Sequence, residues 1–559
     1  MLGLMSERPL LISAIIDHAA TYHGDIEIVS RTVEGPIHRY TYRDAERRAK
    51  QLARALLRLG IAPGDRVATL AWNGYRHFEL YYGISGIGAV CHTINPRLFD
   101  EQIVYIVNHA KDRLLFVDST FLPLVARLAS QFPRDCRVVL MSEGEVPAKL
   151  PISARYEELL AAEDGDFAWP EFDERTAAAL CYTSGTTGRP KGALYSHRST
   201  VLHAYAISLP DAIGISAHDV VCPIVPLFHA CGWGVPYAAP MNGAKLVMPG
   251  PKVDGASLFE LFESEAVTYS LGVPTVWLGF EAYLSSTGAK TSTLRRLLSG
   301  GSAVAPAMIE AFERHGIDIR QGWGMTEMSP LGTTAAFKRK HLGLGREAQN
   351  AIKAKQGRPV FGVEMKLVDD EGRSQPHDGT SMGELLVRGP WIVSGYFEDE
   401  EASRAAVEED GWFHTGDMAT IDPEGYLQIT DRRKDVIKSG GEWISSIDLE
   451  NAAIAHPDVG EAAVIAIPHA RWGERPLLIV APRPGRHPQR DEVIEFLGAR
   501  FPHWMLPEDV VTLEEIPHTA TGKIMKTKLR ELFAGHRLPT ATASHPDPLP
   551  AGGGRERPA

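Results

Sequence analysis

The chain has 559 residues, of which 44% are hydrophobic and 23% are charged, and its formal net charge is −12 at pH 7. This length is too great for a single hydrophobic core, so we expect at least two domains. The composition is that of an ordinary globular protein. A net negative charge without an offsetting basic stretch argues against a nucleic-acid-binding protein.

Neither the N-terminal segment nor the cysteines are typical of a secreted or membrane protein. The apolar run at 10–16 is preceded by Glu7 and Arg8 and followed by Asp17, without a basic leader or a small-residue cleavage site, so we predict an amphipathic helix and no signal peptide. No apolar run reaches the roughly 20 residues of a membrane-spanning helix. The five cysteines are odd in number and lack C-x-x-C spacing, which predicts reduced core thiols and neither a zinc site nor disulfides. We expect a soluble cytoplasmic protein without a transmembrane anchor.

Helical and extended patterns alternate through the first part of the chain. A helical pattern begins near Tyr40, places Ala45, Ala49 and Leu52 on one face, and ends at Gly60. The next predicted elements are strands at 67–70, 89–92 and 114–117 and helices near 76–85 and 101–109. This alternation predicts layers of helices on sheets, the α/β class.

The strongest motif is the segment Tyr182-Thr183-Ser184-Gly185-Thr186-Thr187-Gly188-Arg189-Pro190-Lys191-Gly192. Apolar runs on both sides predict a loop between two extended segments. Glycines let the backbone approach a ligand, and inward N–H groups with Ser and Thr hydroxyls suit phosphate oxygens. The spacing differs from that of the P-loop, because Lys191 stands three residues after Gly188 and a proline intervenes. We predict a phosphate-binding loop; the alternative is a flexible surface turn.

Three shorter motifs later in the chain also suit a nucleotide. Paired glycines at Gly300 and Gly301 let a flat ring lie against the backbone. Glu327 ends the segment 322–327 and is a candidate magnesium ligand, because a hard cation that bridges phosphates is held by few protein carboxylates. Asp417, in a predicted tight turn, can accept hydrogen bonds from both ribose hydroxyls, since a carboxylate has two acceptor oxygens. An ordinary surface acid and an ordinary turn aspartate are the alternatives.

Taken together and in this order, the motifs resemble those of the acyl-adenylate-forming superfamily over nearly the whole chain. The superfamily holds acyl-CoA synthetases, insect luciferases and peptide-synthetase adenylation domains. The resemblance implies a large N-terminal domain of layered α/β sheets with a β-barrel-like subdomain at 1–431. It also implies a small mobile α+β domain at 432–536 that rotates about Lys434. The remaining residues, 537–559, have few large apolar side chains, which predicts a disordered tail.

The resemblance also implies roles for individual residues around the nucleotide. Gln321, Gly322 and Trp323 are expected near the adenine with the paired glycines, Thr326 at the α-phosphate, and Arg432 with Asp417 at the ribose. Magnesium is expected on Thr183 and Glu327. The expected phosphate-loop contacts are Thr183, Ser184, Gly185, Thr186, Thr187, Gly188 and Lys191.

His229 and Trp233 stand in an apolar segment, where the residues alone indicate core positions. The resemblance instead places His229 where the carboxylate meets the phosphate, and places Trp233 as the gate of a fatty-acid tunnel. A bulky indole is physically suited to plug an apolar tunnel.

The segment 429–445 reads as a charged turn that leads into a β pair with a Gly-Gly loop. In the superfamily it is the junction between the large and small domains, and Lys434 at the hinge is typical of the fatty acyl-CoA branch. There Lys438 and Trp443 face the adenylate, and Gly440 with Gly441 flanks the pantetheine channel.

Lys523, in the segment 516–526, is a surface lysine by the residues alone. In the superfamily the matching lysine contacts the substrate carboxylate and the α-phosphate, where it stabilises charge that develops in the transition state.

The resemblance predicts an ATP-dependent acid–thiol ligase. A carboxylate and ATP give an acyl-adenylate and pyrophosphate; CoA then gives acyl-CoA and AMP. The hinge motif and Trp233 favour a medium- to long-chain fatty acid. The segments 10–18, 91–97 and 322–325 also resemble methylmercaptopropionate-CoA ligases, so a short thioether acid is an alternative. Fatty acyl-CoA synthetases of this branch are often homodimers, which the resemblance makes an expectation here.

Two further alternatives belong to other classes. An adenylation enzyme could load a separate carrier protein, since no phosphopantetheine attachment motif follows the small domain. A non-catalytic nucleotide or acyl sensor would be expected to lack Lys523, Glu327 or Asp417, and all three are present.

Overall fold

The computed structural model describes residues 1, 3–148, 150–183, 189–433, 435–440, 442–518 and 524–539. These residues fall into two compact units. The larger unit contains Met1–Ile429, and the smaller contains Thr430–Pro517 and the described chain from Ile524. The fold is mixed α/β, as the alternation of elements predicted.

In chain order the strands are β1 (Glu27–Arg31), β2 (Ile37–Thr41), β3 (Arg66–Leu70), β4 (Val90–Thr93), β5 (Leu114–Val117), β6 (Arg137–Leu140), β7 (Ile152–Arg155), β8 (Ala177–Tyr182), β9 (Gly192–Ser196), β10 (Val220–Pro223), β11 (Lys245–Met248), β12 (Tyr269–Gly272), β13 (Arg296–Ser299), β14 (Asp318–Gly324), β15 (Leu331–Thr334), β16 (Arg358–Pro359), β17 (Glu364–Val368), β18 (Gly383–Arg388), β19 (Phe413–Ile421), β20 (Leu427–Arg432), β21 (Ile437–Ser439), β22 (Glu442–Ile444), β23 (Val459–His469), β24 (Gly473–Pro482) and β25 (Asp509–Thr512).

The helices are α1 (Ser13–Tyr22), α2 (Tyr42–Arg58), α3 (Tyr75–Ser85), α4 (Asp100–Ala110), α5 (Leu122–Leu128), α6 (Tyr156–Ala161), α7 (His197–Ser208), α8 (Val235–Asn242), α9 (Gly255–Ser264), α10 (Pro274–Thr287), α11 (Pro306–Arg314), α12 (Arg346–Lys353), α13 (Glu400–Ala406), α14 (Ser446–Ile454), α15 (Arg490–Gly498) and α16 (Lys526–Leu532).

Helix α2 shows how the sequence sets these elements. The Thr41 side chain accepts a hydrogen bond from the Asp44 amide, and the Asp44 carboxylate accepts one from the Thr41 amide. This reciprocal capping satisfies amide groups that the first helical turn leaves without partners. The predicted apolar face, with Ala45, Ala49 and Leu52, is buried, so the helix predicted from Tyr40 to Gly60 is confirmed.

Two sheets dominate the larger unit. The first sheet has the strand order β7-β6-β5-β3-β4-β8-β9, and the second has the order β16-β15-β14-β13-β12-β10-β11-β1-β2. Neighbouring strands from β7 to β8 are parallel, and β9 is antiparallel to β8. In the second sheet the neighbouring strands from β14 to β1 are parallel, whereas β2 is antiparallel to β1, β15 to β14 and β16 to β15. Ligands of such sheets collect at the carboxyl ends of the parallel strands.

A third sheet has the order β17-β18-β19-β20, and the smaller unit is built on β22-β21-β24-β23 with β25 beside β24. In the smaller unit α14, α15 and α16 accompany the sheet.

Four of the cysteines are buried, Cys136 is half-buried, and all five are free thiols. The prediction of core thiols is therefore confirmed for those four.

Candidate active site

The predicted phosphate loop leaves the carboxyl end of β8. Tyr182 pairs with Gly192 across β8 and β9. Beyond this pair, the Thr183 amide donates to the Lys191 carbonyl at 2.9 Å, and the Lys191 amide donates to Thr183 Oγ1 at 3.2 Å. The loop ends are thus joined at the edge of the first sheet, and the predicted contacts at 184–188 lie outside the described residues.

Glu327 lies in a 3₁₀ turn, Thr326–Met328, that follows β14. It is only 6% exposed, so it is not an ordinary surface acid. The Val393 amide donates to the Glu327 carbonyl at 2.9 Å, and the Tyr195 hydroxyl donates to the Thr326 carbonyl. These bonds from two other segments hold the backbone of the turn in place.

Tyr396 is a site residue that the sequence motifs did not reveal. Its hydroxyl donates to Glu327 Oε1 at 2.8 Å, and the Lys191 ammonium lies 4.9 Å from the centre of its ring. The candidate metal carboxylate and the lysine of the phosphate loop therefore meet on one side chain. A single tyrosine between a strand and a helix is too common in proteins for the sequence alone to have indicated this role.

The residues predicted to hold magnesium offer a suitable donor set. Within the described parts of the chain, no three histidine, cysteine, aspartate or glutamate side chains cluster as a metal site would. Glu327 supplies a carboxylate and Thr183 a hydroxyl, which are the hard oxygen donors that Mg²⁺ prefers beside nucleotide phosphates.

Asp417 and Trp323 are joined by a hydrogen bond between β14 and β19. The Trp323 indole N–H donates to Asp417 Oδ2 at 3.0 Å, and Asp417 is 3% exposed. The tight turn predicted at Asp417 is wrong, since the residue lies inside β19. Gly416 adopts a φ of +69°, which other residues rarely reach, and the register between β18 and β19 shifts in this region.

Gln321 has a structural task that the motif did not indicate. Its side-chain oxygen accepts from the Val304 amide, and its side-chain nitrogen donates to the Ala354 carbonyl at 3.0 Å. At 2% exposure, this side chain ties β14 to the chain before α11 and to the end of α12. The predicted contact of Gln321 with the nucleotide stays a prediction.

Gly300 is a point where an aromatic side chain packs against the backbone, whereas the predicted contact of the paired glycines with adenine stays a prediction. A Cβ atom on Gly300 would lie 2.9 Å from Cη2 of Trp233, closer than real contacts allow. The ring that lies there in this structure is the indole of Trp233. Gly300 follows β13, beside the carboxyl end of β14.

Trp233 belongs to a left-handed turn of the backbone at Ala230–Gly234. The five consecutive φ angles are +37°, +42°, +61°, +54° and +73°. For residues other than glycine this conformation costs about 1–2 kcal/mol each. Strain of this kind is stored at functional sites more often than elsewhere.

Two small cavities flank the turn, each with room for about one water molecule. The first is lined by Thr93, Asn95, Leu98, Ile106, Tyr182, Phe228 and His229. The second is lined by Tyr195, Thr200, His203, Cys231, Gly234, Tyr237 and Ser329. Burial lowers the pKa of His203 to about 3, so its ring is neutral and suits an apolar space. The structure thus places His229 and the Trp233 turn together, at the carboxyl end of β8.

In the smaller unit the predicted β pair is confirmed. β21 and β22 are antiparallel, with Lys438 opposite Trp443, and Gly440 has a φ of +62° in the connection between them. Lys438 is exposed and its amide donates to the Glu474 carboxylate at 2.9 Å. The Arg432 amide donates to Asp431. Lys434, Gly441, Lys523 and the side chain of Trp443 lie outside the described residues.

No described helix is both long and apolar enough to cross a membrane.

Comparison with known proteins agrees with this geometry. The AMP-binding enzyme family matches residues 16–397, and the AMP-binding enzyme C-terminal domain matches 448–523. A 3-methylmercaptopropionyl-CoA ligase of Ruegeria lacuscaerulensis is 51% identical over 95% of this chain and 99% of that protein. A medium-chain-fatty-acid–CoA ligase of Ectopseudomonas oleovorans is 47% identical over 95% of this chain and 98% of its own. The crystal structure of the anthranilate CoA ligase AuaEII with anthranoyl-AMP superposes with a TM-score of 0.84, at 26% identity, over 96% of this chain and 99% of the other.

Proposed function

Since the chain belongs to the AMP-binding enzyme family, we propose that its acyl substrate is a medium- to long-chain fatty acid. The reaction class is AMP-forming acid–thiol ligation, with ATP, Mg²⁺ and CoA. The proposal concerns the acyl group and the residues that carry each step.

The left-handed turn at Ala230–Gly234 is the observation that supports a fatty acid. It holds the Trp233 indole against Gly300, beside a cavity lined mainly by buried side chains. An indole is a large apolar side chain with one polar atom, so it can close an apolar space and be displaced by an apolar chain. The strain of the turn reduces the cost of moving it.

In the first half-reaction the fatty carboxylate attacks the α-phosphorus of ATP, and pyrophosphate leaves. Magnesium bound through Glu327 and Thr183 would offset charge on the phosphate oxygens. The phosphate loop with Lys191 orients the phosphates, and Lys523 stabilises the charge that develops at the α-phosphate. Most of the catalysis is then positioning and electrostatics.

The nucleoside and the carboxylate are held by the residues that the motifs predicted. Asp417 and Arg432 bind the ribose, Trp323 covers the adenine with Gly322 and Gly301 below it, and Thr326 reaches the α-phosphate. His229 lies where the carboxylate meets that phosphate.

In the second half-reaction the CoA thiol attacks the acyl carbon, and AMP leaves. We propose a rotation about Lys434 that withdraws Lys523 and brings Gly440 and Gly441 to the thiol channel. Lys438 and Trp443 then face the adenylate.

A short thioether acid is the second candidate. The cavities beside the turn each hold only about one water molecule, which suits a short chain unless Trp233 moves. The 51% identity to a 3-methylmercaptopropionyl-CoA ligase also favours this acid.

The deciding experiment measures pyrophosphate release from MgATP with saturated acids of rising chain length and with 3-methylmercaptopropionate, each with and without CoA. We expect a maximum at medium or long chains and sustained turnover only with CoA. A maximum at the thioether acid would replace the fatty acid by the second candidate. Release without any turnover on free CoA would favour a separate carrier protein as the acceptor.

Two finer features are also proposals from the family resemblance, a homodimer formed through the larger unit and a cytoplasmic location. Light scattering after size exclusion tests the first, and a mass of one chain, 61.2 kDa, would contradict it. Cell fractionation tests the second.

A further inference from the structure

Tyr396 connects two parts of the candidate site that are far apart in sequence. Its hydroxyl donates to Glu327 Oε1 at 2.8 Å. The face of its ring lies 4.9 Å from the Lys191 ammonium, within the range of a cation–π contact. One side chain therefore contacts both the metal carboxylate and the phosphate-loop lysine that the proposed function assigns.

The hydroxyl of Tyr396 is the donor in its hydrogen bond with Glu327. Its oxygen lies 2.8 Å from Glu327 Oε1, and an ionised carboxylate can only accept hydrogen bonds, so the phenol is the donor. A phenol that donates to a carboxylate fixes the direction in which the carboxylate presents its oxygens.

The position of Tyr396 is fixed by neighbours other than Glu327. The Tyr396 amide donates to Ser403 Oγ at 2.8 Å, which ties it to α13. The Phe397 amide donates to the Gly192 carbonyl at 2.8 Å, which ties it to β9 next to Lys191. The ring is thus held by backbone bonds that a change at its hydroxyl leaves intact.

We propose that Tyr396 is a positioning residue that orients Glu327 for the magnesium ion of MgATP and holds Lys191 toward the phosphates. The inference rests on the proposed function of Glu327 and Lys191. Groups that orient metal ligands typically change metal affinity 10–100-fold when removed. The two contacts of Tyr396 use different parts of the side chain, so substitutions can separate them.

The test measures ATP binding by titration calorimetry, once with Mg²⁺ and once with a chelator. Tyr396→Phe removes the hydroxyl and keeps the ring. We expect the gain in ATP affinity that Mg²⁺ produces to fall by about tenfold, while affinity in chelator is unchanged. Tyr396→Leu also removes the ring, so we expect it to weaken binding in chelator as well.

Tyr205→Phe is the matched control, because Tyr205 is 55% exposed and should leave both affinities unchanged. Thermal unfolding of each variant checks that it is folded. An unaltered magnesium effect in Tyr396→Phe would overturn the proposal, and so would an equal loss with and without Mg²⁺. A wild-type protein that binds MgATP but activates no acid would sink the substrate proposal and leave this one standing.

Discussion

At the scale of single residues, the indole N–H of Trp323 donates a hydrogen bond to Asp417. The bond, 3.0 Å from Nε1 to Oδ2, reaches the carboxylate proposed to bind the ribose. The same indole is proposed to cover the adenine. One residue therefore has two separable effects on ATP, one through its ring face and one through its N–H.

Trp323→Phe separates these effects because it keeps an aromatic ring and removes the N–H. A bond to a buried carboxylate contributes about 1.5–3 kcal/mol, so we expect KM for ATP to rise by about tenfold or more. The analogue 2′,3′-dideoxy-ATP lacks the ribose hydroxyls from which Asp417 would accept hydrogen bonds. With this nucleotide, the variant and the wild type should have similar KM values. An equal penalty with both nucleotides would mean that the indole acts only by covering the base.

Motif chemistry was a good guide to some of these residues. The motifs singled out Glu327, Asp417 and Lys191, because carboxylates and a lysine near glycines and hydroxyls suit a nucleotide. The structure buries both carboxylates and brings Glu327 and Lys191 to one side chain, and their roles stay predictions. Tyr396 and the structural bonds of Gln321 could not be predicted, since they depend on contacts with residues 69 and 33 positions away, respectively.

At the scale of elements, the turn at Ala230–Gly234 departs most from what sequence patterns indicate. Ala230, Cys231 and Trp233 have positive φ angles, although steric clashes make these angles unfavourable for residues other than glycine. Only tertiary contacts account for such a turn, whereas α2 and β8 followed from local periodicity and capping. Gly232 and Gly234 are the residues that a sequence pattern could have flagged.

Ala230→Gly should relieve part of the strain in this turn. We expect an unchanged or higher free energy of unfolding, by up to about 1 kcal/mol, because glycine adopts positive φ without penalty. Ala405→Gly, at an exposed position in α13, is the control with the opposite sign and should cost about 1 kcal/mol. Denaturant unfolding compares the two. A loss of stability in Ala230→Gly as large as in the control would show that the turn is unstrained.

At the scale of the whole molecule, the smaller unit has its own buried ionic network. Lys526 Nζ lies 2.7 Å from Glu450 Oε1, and both side chains are 12% exposed. Burial alone would lower the pKa of Lys526, but the charges of Glu450 and Asp431 raise it. The Val464 amide also donates to Glu450, at 2.7 Å, which joins α14 to β23.

Lys526→Met should therefore destabilise the smaller unit selectively. Removing one partner of a buried pair leaves the other charge uncompensated and costs about 3–5 kcal/mol. We expect faster amide hydrogen exchange in β23 and unchanged exchange in β3 and β5 of the larger unit. Lys528→Met, where the lysine is 52% exposed, should change neither. Faster exchange in both units would contradict a local role.

The alternation of helices and strands predicted the α/β class but not how the strands are shared between sheets. β1 and β2 come first in the chain, yet they complete the second sheet, where β1 lies beside β11. Pairing between strands so far apart in the chain leaves no local signal in the sequence. The residues of β1 show that the strand is buried, but they do not show which strand lies beside it.

This arrangement has a consequence for how the protein is made. Strands near the start of the chain emerge from the ribosome first, but β1 gains its parallel partner only when Lys245–Met248 is made, more than two hundred residues later. The first sheet, complete once β9 is made, can form while β1 still lacks that partner. Until then, β1 can pair with β2 along one edge only, and its other edge is open. An open strand edge of this kind makes a partly folded chain prone to aggregation.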